Sequence, residues 1–537
     1  VEPPDDISDA PDAALTRLYP PTSTSLLSLH KKNRILVLNS TLLLLLSLEH
    51  YESQSRILLL HIASSLHLSL GILTENEVKV AKTLLEVAKK MSAEEEAKKR
   101  GEENQTTRRW KVGLAGIAGA TLIGITGGLA APLVAAGLGT IMGGLGLGAT
   151  AAAGLLGTLA QSGVIVGTLF GAYGGRMTGQ MMDLYAKEVE DFAFLPLRGS
   201  TKKCRKTQDI PVEDRRLRVA IGISGWLTQK EDVINPWRAL GHESEIFALR
   251  WELDALKNLG TSMESVVKDA AWTMAKKQII QRSILGSLML ALWPLSFLKA
   301  SKVLDNPFSV AKNRADKAGL VLADAIVNKA QGKRPVTLIG YSLGARVIYS
   351  CLMSLAERNA FGLVESAVLI GAPCPSNGSI WRAMKSVVAG RLVNVYSEND
   401  YILAFLYRTS SIQLGVAGLQ EIGDVSGVEN VNVSSLVSGH LRYQYLVGVI
   451  LQKIGWEDID SGEVAKEAET IALIDKEEQE ELEELEGKEE DLISFDEEVK
   501  PIDVNEVVRA KKDPEPQKAE VEEDEDKLHE PIEQMHF

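Results

Sequence analysis

The stretch 335–360 restricts the fold more than any other part of the chain. An apolar run from Pro335 to Gly340 passes through Tyr341-Ser342-Leu343-Gly344 into a helix-patterned segment, Ala345 to about Ala360. Val347, Ile348, Cys351, Leu352 and Leu355 recur on one side of that segment, the spacing of an amphipathic helix. A strand that turns directly into a helix brings two backbones together, so the flanking positions Gly340 and Gly344 need residues without a Cβ. The turn, with Tyr341 at its second position, presents the Ser342 hydroxyl at the strand's carboxyl end. The positive end of the helix lies beneath it.

Further strand-like runs lie on both sides: Leu217 to Ile223 and Glu245 to Trp251 before the elbow, Ser366 to Ile370 and Leu392 to Tyr396 after it. Helical text separates them. Alternation of this kind predicts the α/β class, a mainly parallel sheet covered by helices. With the elbow in its required context, the expectation for 215–456 is an α/β-hydrolase fold carrying a helical insertion at about 252–330.

A serine hydroxyl needs a base, and the chain has 8 histidines. His30, His50, His61 and His67 fall far upstream, and His529 and His536 in the C-terminal tail. Of His242 and His440, only His440 follows the serine, as the Ser, acid, His order of such folds requires. The acid is then sought among Glu357, Glu365, Glu398, Asp400, Glu421, Asp424 and Glu429. The loop after the Leu392 to Tyr396 strand holds Glu398 and Asp400; Asp400 is favoured because the chain has room to turn its carboxylate inward, with Glu398 the alternative. The backbone N–H of Leu343, and one from Gly225 or Trp226 in the loop after the first strand, are the candidate oxyanion donors. Trp226 serves equally well as a packing residue. Gly371-Ala-Pro-Cys-Pro375 is expected to shape the rim of the site. No metal or other cofactor is expected.

Outside this domain, 1–32 is expected to be disordered and 33–110 to be a leucine-rich helical domain. Between Val112 and Gly175 there is no charged residue. Such a length holds two membrane spans with a turn, or three short ones. Arg108, Arg109 and Lys111 precede it and Arg176 follows, which favours cytosolic ends. Gly163, Gly167, Gly171 and Gly175 recur at the interval that lets helices pack closely in lipid. A Gly-rich membrane hairpin is therefore expected at 111–176, followed by a linker at 177–214. The apolar run Ile284 to Leu298, interrupted by Pro294, suits an interfacial or lid helix better than a span.

The tail from 457 to 537 carries 32 Asp and Glu against 9 Lys and Arg, which outweighs the chain's −14 and leaves the preceding residues net positive. A short acidic helix followed by disorder is expected there. The mild positive excess of the body excludes a strongly cationic nucleic-acid surface, while attraction to anionic lipid fits it. Cys204, Cys351 and Cys374 are odd in number and lack metal-ligand spacing, so the soluble parts are expected to face the reducing cytosol.

Taken together, Ile339-Gly-Tyr-Ser-Leu-Gly-Ala-Arg-Val-Ile348, Leu369-Ile-Gly-Ala-Pro373, Ser397-Glu-Asn-Asp400 and Gly439-His440 resemble the transmembrane and coiled-coil domain-containing protein four family. The glycine-rich block matches as well, and the resemblance covers about 40 to 455. It implies a membrane-anchored, lipase-like α/β-hydrolase with the triad on Ser342, Asp400 and His440. Fungal members imply association with clathrin adaptors at the Golgi and endosomes. Outside the resemblance, Leu492-Ile493-Ser494-Phe495-Asp496 is similar to a clathrin-box pattern, in which an extended peptide lays alternate apolar side chains in a groove.

The leading expectation is a membrane-anchored serine hydrolase acting on a lipid-like ester. The competing one is a membrane scaffold that keeps the fold and recruits clathrin or adaptors through its tail. A pore is disfavoured, because the glycine-rich block offers no charged lining.

Overall fold

The computed structural model describes residues 12–48, 50–82, 84–85, 169–170, 189, 191–198, 214–268, 295–407, 415–423 and 425–496. Seven strands form one sheet: β1 (Ala193–Pro196), β2 (Val219–Ile223), β3 (Glu245–Arg250), β4 (Val336–Tyr341), β5 (Val364–Ile370), β6 (Leu392–Tyr396) and β7 (Val428–Asn432). Their order is β1-β3-β2-β4-β5-β6-β7. All neighbours are parallel except β1, which runs antiparallel to β3 with Ala193 opposite Arg250 and Pro196 opposite Phe247. The four strands β2, β4, β5 and β6 are buried at every position, as near-continuous apolar runs must be when helices cover both faces. β7, at the edge, is only half-buried.

On the N-terminal side lie α1 (Ala13–Leu18), α2 (Lys31–Ser47), α3 (Ser53–Ser65) and α4, helical over 70–82. Around the sheet follow α5 (Leu253–Val267), α6 (Leu295–Val327), α7 (Leu343–Glu357), α8 (Gly378–Val387), α9 (Tyr401–Tyr407) and α10 (Val447–Lys453). The last described helix, α11 (Ser461–Asp496), runs past Ala472, where the first compact unit ends. In the second unit, 473–537, only 473–496 is described.

Several expectations change here. The N-terminal 1–32 is not disordered throughout. Asp12 caps α1 by accepting from the Ala14 and Leu15 amides, Thr24 caps a short 3-10 turn, and Leu15 and Tyr19 are buried. The stretch 177–214 is more than a linker, because β1 forms within it. The helical insertion contains α5 and α6, each amphipathic, with Leu256, Leu259 and Met263 buried on α5. Ile284 to Pro294 of the apolar run lies outside the described residues. Its last residues begin α6.

Among the described residues, no helix is long and apolar enough to cross a membrane. The glycine-rich block lies outside them except for Leu169 and Phe170. Both are helical and buried in the core of the N-terminal helices, with the Arg334 guanidinium 5.2 Å from the Phe170 ring centre. The expected hairpin, 111–176, thus gives up at least these two residues to packing against protein.

The N-terminal helices are fastened to the sheet by buried charge. Arg56 of α3, fully buried, pairs with Glu77 of α4 at 3.1 Å, with Glu365 of β5 and with Glu457 at 3.5 Å. Arg218, just before β2, shares Glu77 and Glu457 and adds Glu243. A guanidinium in so dry a place is tolerated only with its charge matched and its donors used.

Candidate active site

β4 ends where α7 begins, and Ser342 between them has φ 52° and ψ −126°. Such a backbone costs a residue with a Cβ about 1–3 kcal/mol and persists only when its surroundings enforce it. Here they do. The Ser342 amide donates to the Ile370 carbonyl at 2.9 Å, and its own carbonyl accepts from the Arg346 amide at 3.1 Å. The glycines have steric reasons: a Cβ on Gly340 would fall 2.8 Å from the Gly344 carbonyl carbon, and one on Gly344 would fall 1.9 Å from the Ile223 oxygen. Tyr341 points into the core, stacked on Trp237 at 5.9 Å.

The Ser342 hydroxyl lies 2.6 Å from His440 Nε2, and His440 Nδ1 lies 2.6 Å from Asp400 Oδ2. Ser342 and His440 are 2% exposed and Asp400 is fully buried, so this chain of hydrogen bonds is shielded from water. Each member comes from the carboxyl end of a parallel strand: Ser342 after β4, Asp400 after β6, His440 in the 3-10 turn His440–Tyr445 after β7. The acid and base loops are tied together. Ser397 Oγ donates to the Val437 carbonyl at 2.9 Å, and Asn399 Nδ2 donates to the Ser434 carbonyl at 2.8 Å. Asp400 Oδ1 accepts the Leu403 amide at 3.0 Å, which leaves Oδ2 to the histidine. Glu398, the alternative acid, is exposed and accepts from Asn432 instead.

Gly225 crosses directly under the elbow. A Cβ there would sit 2.5 Å from Leu343 N and 2.7 Å from Ser342 Cβ. Leu343 is the first residue of α7, so its amide has no helical carbonyl one turn earlier to bond, and it adjoins the serine. Trp226 is fully buried with its ring edge-on to Tyr341 at 6.2 Å, and its carbonyl accepts the Tyr341 hydroxyl at 3.4 Å. Its indole is therefore a packing group of the core.

Two contributors were not singled out from sequence. The Tyr443 ring stands edge-on to His440 at 5.5 Å, and it occupies the space above Gly371, whose φ is +53° and whose Cβ would lie 2.4 Å from the ring. Burial, with the nearby Asp400 carboxylate adding to it, holds the Tyr443 phenol well above its ordinary range. The Leu403 amide carries no sequence signal, since every residue has one. The Gly371 requirement had one: a glycine directly after an apolar strand.

Chemically, this arrangement is able to pass a proton from the Ser342 hydroxyl to Nε2, with the Asp400 carboxylate placed against the far nitrogen of the ring and the Leu343 amide next to the serine. The tail motif is placed differently from expectation. Leu492, Ile493, Phe495 and Asp496 lie within α11, not in an extended segment.

Fold and site together define an α/β protein with a buried Ser-His-Asp hydrogen-bond chain at the carboxyl edge of a parallel sheet. The chain belongs to the family described as protein of unknown function (DUF726), whose model matches residues 104–457. It is 40% identical over 431 residues to an uncharacterized membrane protein of Schizosaccharomyces pombe, covering 79% of this chain and 72% of that one. Identity is 36% over 420 residues to the transmembrane and coiled-coil domain-containing protein STS1 of Oryza sativa, 75% of this chain and 61% of the rice protein. A probable lipase, MIL1 of Saccharomyces cerevisiae, is 34% identical over 288 residues, 53% of this chain and 25% of the yeast protein. No solved structure matches.

Proposed function

We propose that the chain is a serine hydrolase of the α/β-hydrolase fold that cleaves a lipid-like carboxylic ester at a membrane face. The observation that carries this reading is the relay of two 2.6 Å contacts from Ser342 through His440 to Asp400, in a dry site. Ser342 attacks the ester carbonyl as His440 takes its proton. The Leu343 amide, with one from the Gly225-Trp226 turn, receives the oxyanion. Collapse expels the alcohol, protonated by His440, and water then releases the acid by the same route.

Substrate class and location rest on different support. A relative is named a probable lipase, and others are named membrane proteins. The charge-free block offers the anchor, with spans drawn from its residues before 169 and both ends cytosolic. Golgi or endosomal residence, and recruitment of clathrin or an adaptor by Leu492–Asp496, are separate proposals; the latter requires the end of α11 to unwind. Equal clathrin or adaptor capture by the wild-type tail and by Leu492→Ala/Phe495→Ala would remove it.

The test of the main reading is covalent labelling of the purified full chain with a fluorophosphonate probe. Ser342 should carry the label, and Ser342→Ala should carry none. A wild-type protein that stays unlabelled, or a Ser342→Ala protein that labels equally, overturns the mechanism.

A further inference from the structure

Helix α6 lies against α7 so closely that a Cβ on Gly319 would fall 2.5 Å from Ser350 Cβ and 2.6 Å from the Val347 oxygen. Ala311, Ala315 and Ala318 of α6 are fully buried alongside, which leaves the helices little room to slide. Two ion pairs bridge the same two helices: Arg346 with Asp316 near the serine, and Arg358 with Asp324 at the far end of α7.

The two pairs differ in what else they hold. Arg346 uses Nε and Nη2 for both oxygens of Asp316, at 2.8 and 3.0 Å, and sends Nη1 to the Pro373 carbonyl at 2.9 Å. Asp316 is itself steadied by the Ser350 hydroxyl at 2.6 Å. The same Pro373 carbonyl accepts the Tyr407 hydroxyl at 2.6 Å. Tyr407 ends α9, the helix whose first turn bonds Asp400, and its ring packs edge-on against Phe308 of α6 at 6.0 Å. Two residues before Pro373, Gly371 seats the Tyr443 ring that flanks His440. The 371–373 loop is therefore where the elements bearing nucleophile, acid and base meet.

We propose that Arg346 is a positioning residue: it holds the Pro373 carbonyl at this junction, and Asp316 fixes the guanidinium for the task. The proposal rests on the hydrolase reading of the site. It requires a planar fork, since a lysine ammonium serves Asp316 or Pro373 but does not reproduce three directed donors.

The test compares Arg346→Lys with Arg358→Lys in the full chain, because each alters one ion pair between the same helices and only the first reaches the loop. Fluorophosphonate labelling rates are measured against pH beside thermal stability. Arg346→Lys should slow labelling about 10- to 100-fold, the scale of an ångström-level misplacement. The midpoint of its pH profile should move down, since a displaced Asp400 stabilises the imidazolium less. Arg358→Lys should label at the wild-type rate and midpoint. Equal slowing in both variants, or a wild-type rate and midpoint in Arg346→Lys, overturns the proposal.

A second readout is independent of turnover: the proton resonance of His440 Nδ1 in isotope-labelled protein, which reports its bond to Asp400. A shift in Arg346→Lys but not in Arg358→Lys supports positioning, and an unmoved resonance in both overturns it. If wild type fails to label, the hydrolase reading falls and this resonance alone decides.

Discussion

Arg56 and Glu365 stand 309 residues apart in sequence, and they meet as a buried ion pair between α3 and the strand β5. Burial pushes the Glu365 carboxyl up, and Arg56 and Arg218 pull it back down. Removing one member of such a set strands the others without compensation. Arg56→Ala should therefore lower the stability of the whole first unit by about 3–5 kcal/mol. Urea denaturation followed by tryptophan fluorescence checks this, since Trp226, Trp237, Trp251 and Trp381 are all buried around the sheet. A midpoint equal to wild type would mean that α3 only rests on the sheet.

The backbone of Ser342 makes an unusual ordering of variants. Alanine is ordinarily the more stable replacement, yet at φ 52° and ψ −126° glycine alone is unstrained. Ser342→Gly should be more stable than Ser342→Ala by about 1 kcal/mol, with labelling absent in both. Thermal denaturation of the pair decides, and the reverse order would show the elbow to be relaxed.

Gly371→Ala should disable the site without touching the Ser-His-Asp residues. The added methyl meets the Tyr443 ring at 2.4 Å in a backbone region that disfavours side chains, so the ring must shift beside His440. Fluorophosphonate labelling of Ser342 should slow by about 10- to 100-fold. An unchanged rate would show that the Tyr443 ring moves independently of the imidazole.

Glu467 of α11 accepts the Gly448 and Val449 amides at 2.8 and 3.2 Å, where α10 begins. Burial pushes its carboxyl from 4.5 to about 7, against those two amides. A folded-state value above the unfolded one means that the folded chain holds the proton more tightly. The contribution of this group to stability is thus complete below about 4.5 and is lost as pH rises through about 7. Denaturation midpoints at pH 6 and pH 8 should fall less with pH in Glu467→Gln than in wild type. Identical pH dependence would exclude Glu467 as the titrating group.

What was legible in the sequence depended on how local the signal was. The elbow could be read because strand, glycines and helix lie within a few turns of each other. His440 followed from a short count of histidines. The choice of Asp400 over Glu398 rests on the turn of a loop, and two residues of separation put one carboxylate inside and the other in solvent. β1 escaped because four residues ending in Pro196, set among charged text, carry too little periodicity. The Arg56 clamp escaped for another reason. An arginine in a leucine-rich helix looks like a solvated break in an apolar face, and only the folded chain brings Glu77, Glu365 and Glu457 to it.

β1 also bears on how the sheet is finished at its border. An open parallel strand exposes a row of unused amides and carbonyls, a template on which another chain can continue the sheet. By pairing antiparallel with β3, β1 covers such a row, and it is itself short and closed by Pro196, which has no amide hydrogen to offer. On this side the described sheet ends in a short border that offers a neighbouring strand few groups to pair with.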